Sequence, residues 1–113
     1  MMCIVATLLL GNSVYSQCSS GACDKLLKSY VSNIDKERKI SRRLVKSGKR
    51  KRIRLVKDLY RINESSYKIY GDYAKCMYGD MPKVYSKLME DKEETYLFKK
   101  SLIKEIEEIV KNQ

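Results

Sequence analysis

Residues Arg38–Lys57 read RKISRRLVKSGKRKRIRLVK, eleven Lys or Arg in twenty residues with no Asp or Glu among them. Ile40, Leu44 and Val45 come before a Ser47-Gly48 break, and Ile53, Leu55 and Val56 follow it. The apolar residues return at helical spacing rather than alternating as in a strand. Gly ends helices readily, because it tolerates the backbone angles that follow a last turn. The stretch is therefore predicted to join two helices, with a single helix bent at Gly48 as the alternative. Lys and Arg spaced i,i+4 repel by roughly a few tenths of a kcal/mol per pair. The junction needs packing, or a counter-charge brought by a partner.

Outward from this stretch the charge falls away. From Asp24 to Arg61 there are fifteen Lys/Arg against four acids, and from Ile62 to Gln113 nine Lys against ten acids. Residues 1–23 carry no charged side chain, so the formal +10 of this 113-residue chain belongs to one segment. A chain of this length supports one small domain. Its concentrated charge calls for an acidic partner: an acidic protein surface or a polyanion such as nucleic acid, anionic lipid or glycan. The candidate partner-binding residues are Arg38, Lys39, Arg42, Arg43, Lys46, Lys49, Arg50, Lys51, Arg52, Arg54 and Lys57. A solvated helix face is the plain alternative, and the lack of balancing acids weighs against it.

A first helix is expected from Asp24, whose carboxylate suits a helix start, to Ser47. Leu27, Tyr30/Val31 and Ile34 would form its apolar stripe, resumed by Ile40, Leu44 and Val45. A second is expected from Arg52 to about Tyr78, with Asn63-Glu64-Ser65-Ser66 as its weak point. Gly79-Asp80-Met81-Pro82 then punctuates the chain, Asp80 reading as N-cap and Pro82 falling in the first turn of a third helix. That helix carries Val84/Tyr85 and Leu88, then Leu97/Phe98, Leu102, Ile103, Ile106, Ile109 and Val110. The phase slips across the charged residues 90–94, predicting a kink or restart near Asp91. The expected fold is all-α, a small three- to four-helix antiparallel bundle.

Met1–Ser16, MMCIVATLLLGNSVYS, reads as an export signal, leaving a mature domain over residues 17–113. Cys3–Leu10 is an apolar run of eight, too short to span a bilayer, and Gly11-Asn12 breaks it. Val14-Tyr15-Ser16 places acceptable residues before a cleavage at Gln17. The segment lacks the basic residues of a usual signal, and an apolar first helix is the alternative. The expected location is secreted or periplasmic, with no membrane span in the mature chain. The mature chain keeps Cys18, Cys23 and Cys76, which allow one intramolecular bridge in three ways. The thiol left over is compatible with a disulfide-linked or helical homodimer.

Other residue types narrow the chemistry. There is no His and no Trp, so a Ser or Cys nucleophile would lack its usual imidazole base. The five Gly are scattered singly, giving no phosphate loop, and without His the cysteines lack zinc-finger spacing. Neither catalysis nor a metal or cofactor is expected. Tyr60, Tyr67, Tyr70, Tyr73 and Tyr78 lie within nineteen residues. They read first as a core stripe whose hydroxyls reach the rim, and only second as base-stacking platforms. Nucleic acid ranks below the other polyanions, because no recognised nucleic-acid motif is present.

From Cys76 the chain passes Gly79, Met81, Tyr85 and Lys87-Leu88-Met89 to Glu93-Glu94-Thr95. Its central run is Met, three residues, Tyr, one residue, a basic residue, an aliphatic and Met. These twenty residues (76–95) resemble the end of the T-even phage lysis-inhibition antiholins. The resemblance implies a small exported helical protein that binds the periplasmic domain of a holin and delays lysis, with a structural role for Cys76. The chain departs from that family in its CSSGAC pair near the N-terminus, its basic stretch and its extension past Thr95.

The leading expectation is an exported helical binding or regulatory protein. One alternative is a secreted hormone-like precursor, since Gly48-Lys49-Arg50-Lys51-Arg52 has the form of a dibasic processing site behind an amidation glycine. Cleavage there would free a peptide resembling the layout of calcitonin-type hormones. A basic nucleic-acid-binding protein, should Met1–Ser16 be retained, is the other.

Overall fold

The computed structural model describes residues 20–113. The export-signal reading of Met1–Ser16 and any pairing of Cys18 lie outside the described residues. Three helices account for almost all of the rest: α1 spans Ser20–Lys46, α2 Lys49–Tyr78 and α3 Pro82–Lys111. Connections this short turn each helix back along the one before it, so α1 and α3 run the same way on either side of α2. No Cα of α1 comes within 8 Å of a Cα of α3. The described helices thus form a single layer with α2 in the middle. Expected as a three- to four-helix bundle, the described chain has three helices and no fourth.

Both predicted breaks occur, displaced by a residue or more. α1 starts at Ser20, so Asp24 sits inside it rather than at its cap, and α2 starts at Lys49 rather than Arg52. The Arg52 amide already donates to the Gly48 carbonyl at 2.9 Å, which draws residues 49–51 into the first turn. Asp80 is not the N-cap of α3. That position falls to Met81, whose carbonyl accepts the first helical bond, from Tyr85, at 3.0 Å. Pro82 fixes the boundary, because a proline disfavours helical angles in the residue before it and is itself preorganised for a first helical position.

Neither predicted weak point breaks its helix. Asn63 and Ser66 are buried within a continuous α2, where the Asn63 side-chain amide donates to the Tyr96 carbonyl of α3 at 3.2 Å. The restart near Asp91 is absent too, because the residues facing α2 keep perfect helical period: Tyr85, Met89, Lys92, Tyr96, Lys99, Ile103 and Val110. The apparent slip arose from taking Leu97 and Phe98 as core, yet they are 52% and 65% exposed. Lys92 takes the inward position instead, its ammonium 4.7 and 4.5 Å from the ring centres of Tyr30 and Tyr70. A cation over aromatic faces can replace an aliphatic side chain there without leaving the charge uncompensated.

The layer has two zones. Next to the α1–α2 turn, Ile40, Leu55, Val56, Leu59, Ile103 and Val110 form the aliphatic core. Towards the other end tyrosines take over. Tyr67 stacks on Tyr96 at 4.7 Å between centroids, and Tyr30 tilts against Tyr70 at 5.4 Å. The Cys23–Cys76 disulfide, with Cα atoms 5.7 Å apart, closes this end by tying the start of α1 to the end of α2. Of the three pairings open to the sequence, this one staples two helices. No described helix is long and apolar enough to cross a membrane.

Candidate docking surface at the basic turn

The eleven candidate cations lie on the last turns of α1 and the first turns of α2, which the Ser47-Gly48 turn folds back on each other. Folding therefore gathers a twenty-residue run into one end of the layer. The turn is held from within. Ser47 Oγ donates to the Arg43 carbonyl at 2.7 Å. Arg52 reaches back to the last turn of α1, with Nε donating to the Leu44 carbonyl at 2.8 Å and Nη2 to that of Val45 at 3.1 Å. Its Nη1 donates to Gln113 Oε1 at 2.9 Å, and Lys49 Nζ to the Gln113 carbonyl at 3.4 Å. A guanidinium fork on the orphan carbonyls of a helix C-terminus satisfies acceptors and opposes the dipole together. Arg52 is thus engaged in holding the fold.

The other candidates face outward. Lys39 makes an exposed i,i+4 pair with Asp35 at 3.7 Å, an arrangement of small energetic weight. Among the described residues no carboxylate lies within 4 Å of the cationic groups of Arg38, Arg42, Arg43, Lys46, Arg50, Lys51, Arg54 or Lys57. These cations divide over two faces. Lys39 and Arg43 join Lys36, Arg61 and Asp58 around a shallow crevice between α1 and α2, floored by Ile40 and Ile62. Arg38 and Arg42 stand on the opposite side, at the edge of a groove between α1 and α3. The run 48–52 forms the start of α2, so a processing protease that takes its substrate extended would have to unwind it first.

The tyrosines do not form an open stacking platform. Tyr60 donates to Glu107 Oε1 at 3.2 Å and Tyr96 donates to Glu64 Oε2, each bridging α2 and α3. Lys92 Nζ donates to the Tyr30 hydroxyl, joining α3 to α1. Burial foremost, then the bond to Glu107, raises the Tyr60 phenol above its ordinary value, and burial does the same for Tyr70. At Tyr96 the hydrogen bond to Glu64 is the leading cause of the rise. The rings of Tyr30, Tyr67, Tyr70, Tyr73 and Tyr96 are occupied with one another or with lysines, as a structural stripe.

Compared with known proteins, the chain matches no family model, no curated protein and no solved structure. The surface must therefore be understood from its own geometry. The groove beside Arg38 and Arg42 was not foreseen from the sequence, although a signal existed. Leu27, Val31 and Val45 on α1, and Phe98, Leu102 and Ile109 on α3, form second apolar stripes that a helix with one packed face does not need.

Proposed function

We propose that this protein is an exported helical binding or regulatory module that engages an acidic protein surface or polyanion through the basic turn joining α1 and α2. One observation carries the reading: eight outward-facing cations at one end of the layer have no carboxylate within 4 Å among the described residues. Gathering like charges is unfavourable for the fold alone, and an acidic partner offsets it while releasing counterions. Export is supported by the Cys23–Cys76 pair, since lasting disulfides belong to oxidising compartments. The narrower version, periplasmic inhibition of lysis through a holin, rests on the run Cys76–Thr95. Delay of lysis when the chain is co-expressed with a holin tests that version.

The general reading is tested with heparin as the polyanion. Binding should weaken at least about tenfold between about 0.05 and 0.3 M salt, as phosphate- or sulfate-type contacts require. The Arg50→Glu/Lys51→Glu double variant should bind more weakly and with a shallower salt slope. Binding that ignores both salt and this variant would overturn the proposal.

A further inference from the structure

The groove on the Arg38/Arg42 side is open to solvent and has a volume of about 510 Å³. Leu59 of α2 lines it, with Leu102, Ile103 and Ile106 of α3 on one side and Arg38, Ser41 and Arg42 of α1 on the other. It exists because α1 and α3 straddle α2 without approaching each other: no Cα pair between them lies within 8 Å. Among the described residues, long polar side chains cross the gap, Glu37 to Lys99 at 3.1 Å and Tyr30 to Lys92, and the first of these pairs stands at the groove's edge.

The second apolar stripes point the same way. At 100° per residue, Leu27, Val31 and Val45 fall on the flank of α1 that carries Arg38 and Ser41. Phe98 and Ile109 likewise fall on the flank of α3 that carries Leu102 and Ile106. Val45, Phe98 and Ile109 are 75%, 65% and 63% exposed. Two outer helices thus turn apolar stripes towards one channel above a third helix, the arrangement of a four-helix bundle with one member missing. The α1 rim then chooses the occupant. Arg38 and Arg42 have no carboxylate within 4 Å among the described residues, so a helix lying there must bring acids. A second copy of this chain is the poorer complement, because even its most acidic helix, α3, sets seven Lys against seven acids and brings no net negative charge.

We infer that the groove between α1 and α3 seats an acidic amphipathic helix of a partner protein, which lies along α2 as the fourth helix. Its apolar face covers Leu59, Leu102 and Ile106, and its carboxylates meet Arg38 and Arg42. This rests on the basic end being a docking surface, and it names the partner's shape and chemistry. The recognition is helix-in-groove, read through anchors three and four residues apart.

The probe is a synthetic helix of about twenty residues, about 30 Å long, with Leu at i, i+3/i+4 spacing and Glu on its flanks. A scrambled peptide of the same composition and a version with Lys in place of Glu serve as controls, read by fluorescence anisotropy. The amphipathic acidic peptide should bind at least about tenfold more tightly than either control, and Leu102→Asp should weaken it about tenfold or more. Arg38→Glu/Arg42→Glu should weaken it similarly, whereas Arg50→Glu/Lys51→Glu should change it by less than about threefold, as charges outside the seat do. Ile109→Asp, at a more exposed position, replaces Leu102→Asp should circular dichroism show the latter misfolded.

Equal binding of the scrambled peptide, or binding indifferent to Leu102 and Ile109, overturns the inference. So does a Leu102-dependent dimer in sedimentation of the protein alone, which would put a second copy in the groove. Leu102-dependent binding to phosphatidylglycerol vesicles in preference to the peptide would make the occupant a lipid and overturn it as well. Heparin binding lost in Arg50→Glu/Lys51→Glu, with no peptide binding, leaves the function proposed above standing and removes only the groove. Peptide binding without salt-dependent heparin binding does the reverse.

Discussion

Single residues already separate what each helix face does. Gly71 lies inside α2, where an added Cβ would stand 3.3 Å from the terminal methyl of Met89. That methyl ends a flexible side chain and can give way, while a mid-helix glycine costs about 1 kcal/mol relative to alanine. Gly71→Ala is therefore expected to leave stability unchanged or raise it by up to about 1 kcal/mol in urea unfolding. Gly79→Ala should do the opposite, because its Cβ would come 2.5 Å from the Lys75 carbonyl oxygen, which belongs to the backbone and cannot step aside. The tyrosines give a pH prediction. Tyr60, Tyr70 and Tyr96 have folded-state pKa values above the ordinary 10.0. Above that value the unfolded chain releases protons the folded chain still holds, so their stabilising contribution is present below pH 10 and lost as pH rises past it. Absorbance at 295 nm should lose its Tyr60, Tyr70 and Tyr96 share of the rise near pH 10 and regain it at higher pH, and the urea midpoint should fall in the same range.

At the scale of elements, helix number and punctuation were legible and helix facing was only partly so. Ser47-Gly48 and Gly79–Pro82 break the chain where glycine and proline marked it, with the neighbouring helix ends up to three residues from their expected places. The facing of α3 was misread because its inward stripe includes Lys92, Tyr96 and Lys99, while Phe98, Leu102 and Ile109 turn outward. Hydrophobicity alone assigns those six the wrong way round. What it cannot register is that a lysine can lie over two tyrosine rings. Substitutions distinguish the two facings: Ile103→Ala, at a 4% exposed site, should cost about 2–4 kcal/mol, as cavity-forming changes do. Phe98→Ser should stay within about 0.5 kcal/mol in the free protein, as exposed changes do. The staple between elements has its own signature. Cys23 and Cys76 are 53 residues apart, and closing a loop of that size removes about 4 kcal/mol of unfolded-chain entropy. Reduction, or Cys76→Ser, should lower unfolding free energy by roughly that amount, with protease sensitivity appearing first in α1.

Across the whole molecule, the sequence revealed where charge concentrates but not how it is divided. A linear run of eleven cations becomes a hairpin end in which Arg52 closes off α1, Lys39 and Arg43 face one side, and Arg38 and Arg42 face the other. That partition follows from helical rotation through a two-residue turn, which residue counting does not supply. The groove was hidden for a related reason: its second apolar stripes stand in the sequence, but that α1 and α3 stay apart across α2 is a long-range fact. The same separation orders the molecule in time. α2 is packed on both flanks, whereas α1 and α3 meet each other through side chains, Glu37 with Lys99 and Tyr30 with Lys92, so the outer helices hold to α2 more than to one another. Amide hydrogen exchange should therefore be slowest along the middle of α2, around Leu55–Asn63, and faster on the outer flanks of α1 and α3. Occupying the channel with a fourth helix should slow exchange in both outer helices at once, adding backbone packing to the side-chain contacts that join them.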